Sequence, residues 1–412
     1  MRTLYEELAA YTKKGMYPFH MPGHKGNPDF LPPEPLLSLD VTELDNTDNL
    51  HNPGGCIAET QRRIGSFYGA DYSFLLVNGS TAGIVSAIGA VCRDGDTIAV
   101  ARNCHKSVFS GMALSGAKPV YFWPGDEIPE AKAVLVVSPT FEGDVLDIRT
   151  IAEKVHSRGG ILIVDEAHGA HFPFHPAFPK GALSQGADIV IHSFHKTLPV
   201  FSQSAVVHVK DGRVDISLLR QFLSMVQSSS PSYLMMAATD YMLSTLQGDS
   251  SYFERYVENL LALRKALGEG LHTIPGGDIG KLVLNIPNAN DWANRHKLAL
   301  EIVNDKYALA MTSVADTAEG FARLEKAMKD AEIIEVDTLK ATCPLPEVAL
   351  SPKETKGKKT RKARLSESIG EIAGSFIMPF PPGIPLLAPG EKVTESVVSA
   401  FDQDCEIEVL LL

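Results

Sequence analysis

Residues 188–199 read DIVIHSFHKTLP. Ile189, Val190 and Ile191 form a continuous apolar run, the pattern of a strand covered on both faces. Directly after it, where a chain usually turns, stand His192, Ser193, His195 and Lys196. Taken alone, that cluster fits a metal site, a phosphate site, a reactive amine or a polar strand end.

The stretch belongs to a series. Between about residues 70 and 210 the strand-like runs are SFLLV (73–77), TIAV (97–100), PVYFW (119–123), AVLVV (133–137), ILIVD (161–165), DIVIH (188–192) and SAVVHV (204–209). Segments such as STAGIVSAIGAVC and LDIRTIAEKVHSRG carry helical spacing between them. The alternation predicts an α/β fold with a seven-stranded, mostly parallel, doubly wound sheet. In such sheets ligands bind beyond the carboxyl ends of the strands. Residues 214–272 read as helices leaving this unit, and beyond about 275 KLVLNIP and AEGFARLEKAMKDAE suggest a smaller α+β domain. The expected division is an N-terminal arm over 1–60, a large domain over 61–265 and a small C-terminal domain over 266–412.

Composition narrows the function classes. The chain has 412 residues, 44% of them hydrophobic, enough for two or three domains with real cores. No apolar run of about 18 residues is present, so no membrane span is expected. The opening MRTLYEELAAYTKKGMYPFH mixes acids and bases and reads as an amphipathic helix, not a signal peptide. The 38 basic and 50 acidic residues give a net charge of −12, which argues against nucleic acid as a partner. The segment PKETKGKKTRKAR (352–364) holds seven basic residues and is expected as a solvated loop. Five scattered cysteines without a CxxC pair fit neither a disulfide framework nor a zinc ribbon, and suggest a reducing cytoplasm.

The strand ends carry the chemistry. After SFLLV come Asn78, Gly79, Ser80 and Thr81, then a helix. Hydroxyls and free N–H groups at a helix start make an anion site, although a plain Ser/Thr cap would look the same. After TIAV comes RNCHKS, which places His105 where an imidazole caps, ligates or stacks on a planar ligand. After ILIV comes DEAHGAHF, with Asp165 closing an apolar strand. A carboxylate there needs a partner, and a cationic ring nitrogen suits it. His168 and His171 have a spacing compatible with a metal, but no third ligand stands out beyond Asp165 and Glu166, so no metal is expected. After DIVIH, Ser193 and His195 can donate to a phosphate, and Lys196 is a candidate Schiff-base nucleophile. Phosphate cradle, stacking imidazole, acid and lysine together are the parts that hold pyridoxal phosphate.

At this point the sequence resembles a known family. FHMPGHKG, NGSTAG, RNCHKS, DEAHGAHF, HSFHKTLPVFSQSAVVHV and FPPGIPLLAPGE are similar to motifs of the Orn/Lys/Arg decarboxylases of fold type I, the aspartate-aminotransferase superfold. The match spans residues 1 to about 250 and resumes at about 365–392. The resemblance implies pyridoxal 5'-phosphate as cofactor and decarboxylation of arginine, lysine or ornithine to a polyamine-pathway amine. It implies Lys196 as the covalent anchor, Asp165 on the ring nitrogen, His105 on one ring face, Ala167 on the other and His168 beside the ring. Ser80, Thr81, Ser193 and His195 would hold the phosphate. It further implies a homodimer or larger assembly with its active site at the subunit interface, where Ser229 or Ser230 reaches the neighbouring subunit's phosphate. The sequence opens directly on the core, which suggests a dimer or tetramer over larger rings.

The substrate's distal cation needs a carboxylate, and Glu391, Asp45 and Asp48 are the candidates. A transaminase of this fold typically holds the substrate carboxylate with a C-terminal arginine. None occurs from Leu365 to Leu412, which disfavours that alternative. An aldolase and a catalytically silent regulatory homologue are the other readings. His192 is expected to be structural. The HMPGHKG segment is expected to form a turn near the cofactor, shaped by Pro22 and Gly23.

Overall fold

The computed structural model describes residues 3–44, 46–334, 344–378, 383–401 and 404–411. Helix α1 (Leu4–Thr12) opens on a capping box, in which the Thr3 hydroxyl accepts from Glu6 N–H and the Glu6 carboxylate accepts from Thr3 N–H. None of its residues is buried, and Leu4, Tyr5, Leu8 and Tyr11 are exposed. Strand β1 (Tyr17–Phe19) follows and pairs in parallel with residues Leu298–Leu300. Helix α2 (Cys56–Tyr68) leads into the main sheet. The expected boundary after residue 60 therefore falls inside a helix, and the arm is continuous with the large unit.

Seven strands build that sheet: β2 (Tyr72–Leu76), β3 (Thr97–Ala101), β4 (Lys118–Phe122), β5 (Ala133–Val137), β6 (Ile161–Asp165), β7 (Ile189–His192) and β8 (Ala205–Val209). Their order is β2-β8-β7-β6-β5-β3-β4, and only β8 runs against its neighbours. Each expected run is a strand here, within one residue at its ends. Side chains alternate between two cores, as a pleat requires. Leu162, Val164 and Val190 face one cluster, while Ile163, Ile189 and Ile191 face the other. Helices α3 (Gly79–Val91), α4 (Ser107–Ser115) and α7 (Ile216–Val226) cover the second face. Helices α2, α5 (Ile148–Ser157), α8 (Tyr233–Gly248) and α9 (Ser251–Leu267) cover the first. Burial on both faces explains why the strands read as unbroken apolar runs.

Among the described residues the C-terminal region builds two sheets of its own. Strands β9 (Leu271–His272), β10 (Lys281–Leu284), β12 (Ile302–Val303) and β13 (Ala308–Met311) pair antiparallel in the order β12-β13-β10-β9. The expected strand in KLVLNIP is β10, and the AEGFARLEKAMKDAE helix is Ala318–Met328. A separate pair, β14 (Thr360–Arg364) and β15 (Glu406–Leu410), has its own core of Leu365, Ile377, Leu387, Val397 and Val409. The basic segment 352–364 is thus not wholly a loop. Its last five residues form β14, where Arg361 pairs with Glu371 and Lys362 with Glu406. Acids on the facing strand and turn neutralise charges that looked free in the sequence.

Candidate active site

The carboxyl ends of β2, β3, β5, β6 and β7 meet along one edge of the sheet and bring their polar residues together. Two adjoining cavities lie there, and His105, Asp165, Ala167 and Lys196 line both. The smaller, of about 430 Å³, is lined by Asn78, Gly79, Ser80 and Thr81 from one side and Ser193, His195, Ser202 and Gln203 from the other. Gly79 has a φ of +69°, which glycine adopts without strain, and its N–H donates to Gln203 O at 2.9 Å. That turn starts α3 with Ser80 and Thr81 in its first turn, whose N–H groups have no partner within the helix.

Lys196 rides on the one-turn helix α6 (Phe194–Thr197) after β7. Its Nζ lies 3.0 Å from His168 Nε2. Burial lowers the Lys196 pKa, against the attraction of Asp165 and Glu301. Asp165 closes β6, and its Oδ1 accepts from Ala167 N–H at 3.1 Å. Burial raises its pKa, opposed by Lys196. His105 precedes α4, with Nδ1 2.9 Å from Ser107 Oγ. Burial, then Lys196 and Lys106, bring its pKa down to about 4, so the ring is neutral near neutral pH. Burial likewise takes His195 down to about 4; its Nδ1 lies 3.2 Å from both Ser193 Oγ and Ser204 O. His168 is held between two amines, since its Nδ1 lies 2.9 Å from Lys281 Nζ.

The HMPGHKG turn lines neither cavity. It packs behind the Lys196 turn instead: Gly23 N–H donates to His195 O at 2.7 Å. A Cβ on Gly23 would stand 2.7 Å from Leu198 O, so only glycine allows this approach. Lys25 Nζ donates to His20 O and Met311 O, at 2.9 and 2.8 Å.

The larger cavity, of about 620 Å³, extends from Lys196 between Trp123, Phe141, Ile274 and Ile384. Besides Asp165, its carboxylates are Glu142 and Asp144, from the loop after β5. Glu142 Oε1 accepts from Tyr307 OH at 2.8 Å.

Two residues expected to read the substrate cation are engaged elsewhere. Glu391 is 1% exposed and paired with Arg102, Nη2 to Oε2 at 3.0 Å. The same guanidinium donates to Pro385 O and Leu386 O. An acid so committed is part of the wall, and Arg102, not Glu391, lines the cavity. Asp48 is a helix cap. Its Oδ2 accepts from Gly55, Ile57 and Ala58 N–H, and its Oδ1 from Asn49 and Gly54 N–H. Asp45 lies outside the described residues. Ser229 and Ser230 are exposed in the loop after α7 and line neither cavity. His171 binds Asp278 at 3.1 Å, while His192 bridges Glu166 and His208, at 2.7 and 3.1 Å.

Sequence reasoning passed over Asn78, Ser202, Gln203, Glu142, Asp144 and Lys281. Five of these were findable: Asn78, Glu142 and Asp144 follow strand ends, and Ser202 and Gln203 sit in the already quoted VFSQS. Lys281 gave no signal, because it opens a strand of the other sheet.

The residues present fit pyridoxal phosphate. A buried amine and a buried carboxylate face one space, and a helix start with two hydroxyls closes its far side. Sequence models of the Orn/Lys/Arg decarboxylase major domain match residues 2–127 and 125–275, and that of the family's C-terminal domain matches 336–406. The protein YaaO of Bacillus subtilis (strain 168) is 32% identical, covering 97% of this chain and 93% of its own length. An arginine decarboxylase of Halalkalibacterium halodurans is 30% identical, covering 95% and 91%. The solved lysine decarboxylase A of Pseudomonas aeruginosa superposes with a TM-score of 0.77 at 19% identity, over 90% of this chain and 74% of that one. The chain belongs to the Orn/Lys/Arg decarboxylase family and is a pyridoxal-phosphate-dependent amino acid decarboxylase of fold type I.

Proposed function

We propose that the protein removes the α-carboxylate of arginine, lysine or ornithine as CO2 and releases the corresponding amine to polyamine synthesis. The observation that carries this reading is the larger cavity: Lys196 and two carboxylates, Glu142 and Asp144, line one largely apolar space. A largely apolar space with acids in its wall suits a methylene chain ending in a cation. These two replace Glu391 and Asp48 as the groups that read the distal charge.

Each residue then has a task. Lys196 would anchor the cofactor covalently. Asp165 holds a proton at the ring nitrogen, an interaction favoured in a site that burial has desolvated. His105, neutral near neutral pH, and Ala167 would hold the ring between them. Ser80, Thr81, Ser193 and His195 hold the phosphate, with Asn78, Ser202 and Gln203 beside them. Bound there, pyridoxal phosphate supplies the sink for the electron pair of the breaking Cα–carboxylate bond. Glu142 and Asp144 draw the distal cation away from the ring and thereby orient the carboxylate for departure.

The protein acts as a cytoplasmic homodimer in this reading. Free thiols at Cys92 and Cys104, whose pKa values burial pushes up to about 12, accord with a reducing compartment. Ser229 and Ser230 are exposed, and the Asn78 amide donates to Val226 O just ahead of them. The loop so lies near the phosphate cavity and is free to reach the neighbouring subunit's phosphate.

Incubation with each of the three amino acids, with CO2 and amine measured, tests the reading. One of them should yield both products in equal amounts; no CO2 from any of them would refute it. Visible absorbance from the cofactor should vanish in Lys196→Ala, and its survival there would assign the lysine wrongly.

A further inference from the structure

The reaction as proposed leaves Lys281 without a part. It opens β10 and is 4% exposed. It packs under the Glu142–Asp144 loop, and a Cβ on Gly143 would meet its Cγ at 2.9 Å. Its Nζ, His168 and Lys196 Nζ form a line, with contacts of 2.9 and 3.0 Å at the two ring nitrogens.

The ring chemistry restricts this arrangement. A neutral imidazole has one N–H and one lone pair, and an ammonium can only donate. Two ammonium groups cannot both bond the same neutral ring. One lysine donates to the ring, and the other, as a free amine, accepts from it. The ring itself is neutral, since burial and the charge of a flanking lysine hold its pKa well below the usual range.

The surroundings decide which lysine is the free amine. Lys281 faces Asp278 and Glu301, with Lys196 and Lys25 as opposing charges. Lys196 faces Asp165 and Glu301. Asp165 is the acid that the cofactor's ring nitrogen takes up, whereas Asp278 stays beside Lys281. Arg264 approaches only the carbonyl of Lys281, at 3.3 Å, and Phe141 sets its ring edge against His168 at 5.0 Å.

We propose that Lys281, acting through His168, is a positioning residue that holds Lys196 as the neutral, nucleophilic amine. The Lys281 ammonium donates to His168 Nδ1, which leaves the ring's single proton on Nε2. That N–H is aimed at Lys196 and finds a partner only in an amine lone pair. Lys281, with a pKa brought down to about 8 chiefly by burial, is mostly charged at neutral pH, as this order of bonds requires. The proposal rests on Lys196 being the cofactor lysine.

Uptake of pyridoxal phosphate by the full chain, followed through visible absorbance across pH without substrate, tests it. Lys281→Met removes both the neighbouring charge and the donor to Nδ1. The pH midpoint of uptake should move up by on the order of one unit. Lys281→Arg keeps charge and donor and should stay near the wild-type midpoint. An unshifted midpoint in Lys281→Met, or equal shifts in both variants, would overturn the proposal. A wild-type measurement needs no variant to fold: 15N spectra of His168 in the full chain should show Nε2 protonated and Nδ1 bare, and the opposite tautomer overturns it as well. Absence of a visible band in the wild type, or its persistence in Lys196→Ala, would instead strike the reading of Lys196.

Discussion

Asp165 shows at the scale of one residue how burial and function meet. Its carboxylate ends an apolar strand, and desolvation raises its pKa. In the proposed reading a cationic ring nitrogen would offset that cost, so that acid and cofactor would stabilise each other's charge. Asp165→Asn should still take up pyridoxal phosphate but release CO2 on the order of a hundredfold more slowly, each tenfold being ~1.4 kcal/mol of barrier. Near-normal turnover in a CO2 assay would contradict its role. The convergence of Lys196, Asp165 and His105 on one cavity was legible in the sequence because ionisable groups directly after apolar strands have few ordinary uses. Glu391 and Asp48 were misread for the converse reason. An acid's partner is set by the fold: Arg102 is far from Glu391 in sequence, and backbone N–H groups leave no mark in it at all.

At the scale of elements, α2 depends on a carboxylate outside it. The residue before the helix, Gly55, has no side chain to cap with, and Asp48 folds back to do so. Slight burial would raise the Asp48 pKa, but the N–H groups of Gly54, Asn49, Gly55 and Ala58 outweigh it and bring it to about 2. A depressed carboxylate stabilises the fold above its ordinary pKa of 3.8, and that stability is lost as pH falls toward about 2. Asp48→Ala should cost about 1 kcal/mol near neutral pH, as loss of a cap does, and this difference should shrink in acid melts below pH 3.8. A difference that persists unchanged in strong acid would rule out the capping role. The strands of the large sheet were readable because two buried faces demand apolar residues throughout. In the smaller sheet β9 and β12 are two residues long, too short to show any period.

Over the whole molecule, the pair Arg102–Glu391 joins the end of β3 to the C-terminal segment that walls the larger cavity. Arg102 lies between the rings of Phe109 and Tyr121, 5.5 and 5.4 Å from their centroids. Removing one member of a buried pair leaves the other charge uncompensated. Glu391→Ala should cost about 3–5 kcal/mol in denaturant melts. Replacing both residues by leucine should recover much of that. A single variant as stable as the wild type would show the pair to be dispensable. The two-sheet character of 266–412 escaped the sequence reading because β14 is a basic strand with little apolar content, legible only beside the acidic β15.

The contact of Gly23 with the Lys196 turn has a consequence for biosynthesis. Residues 17–25 are made well before their partners, which are the turn at 195–198, strand β11 (Leu298–Leu300) and Met311. The pairings of this segment are complete only once residues 298–311 have been made. The nascent polypeptide can assemble the large sheet first, while the segment that backs the Lys196 turn is itself secured only when residues 298–311 join it.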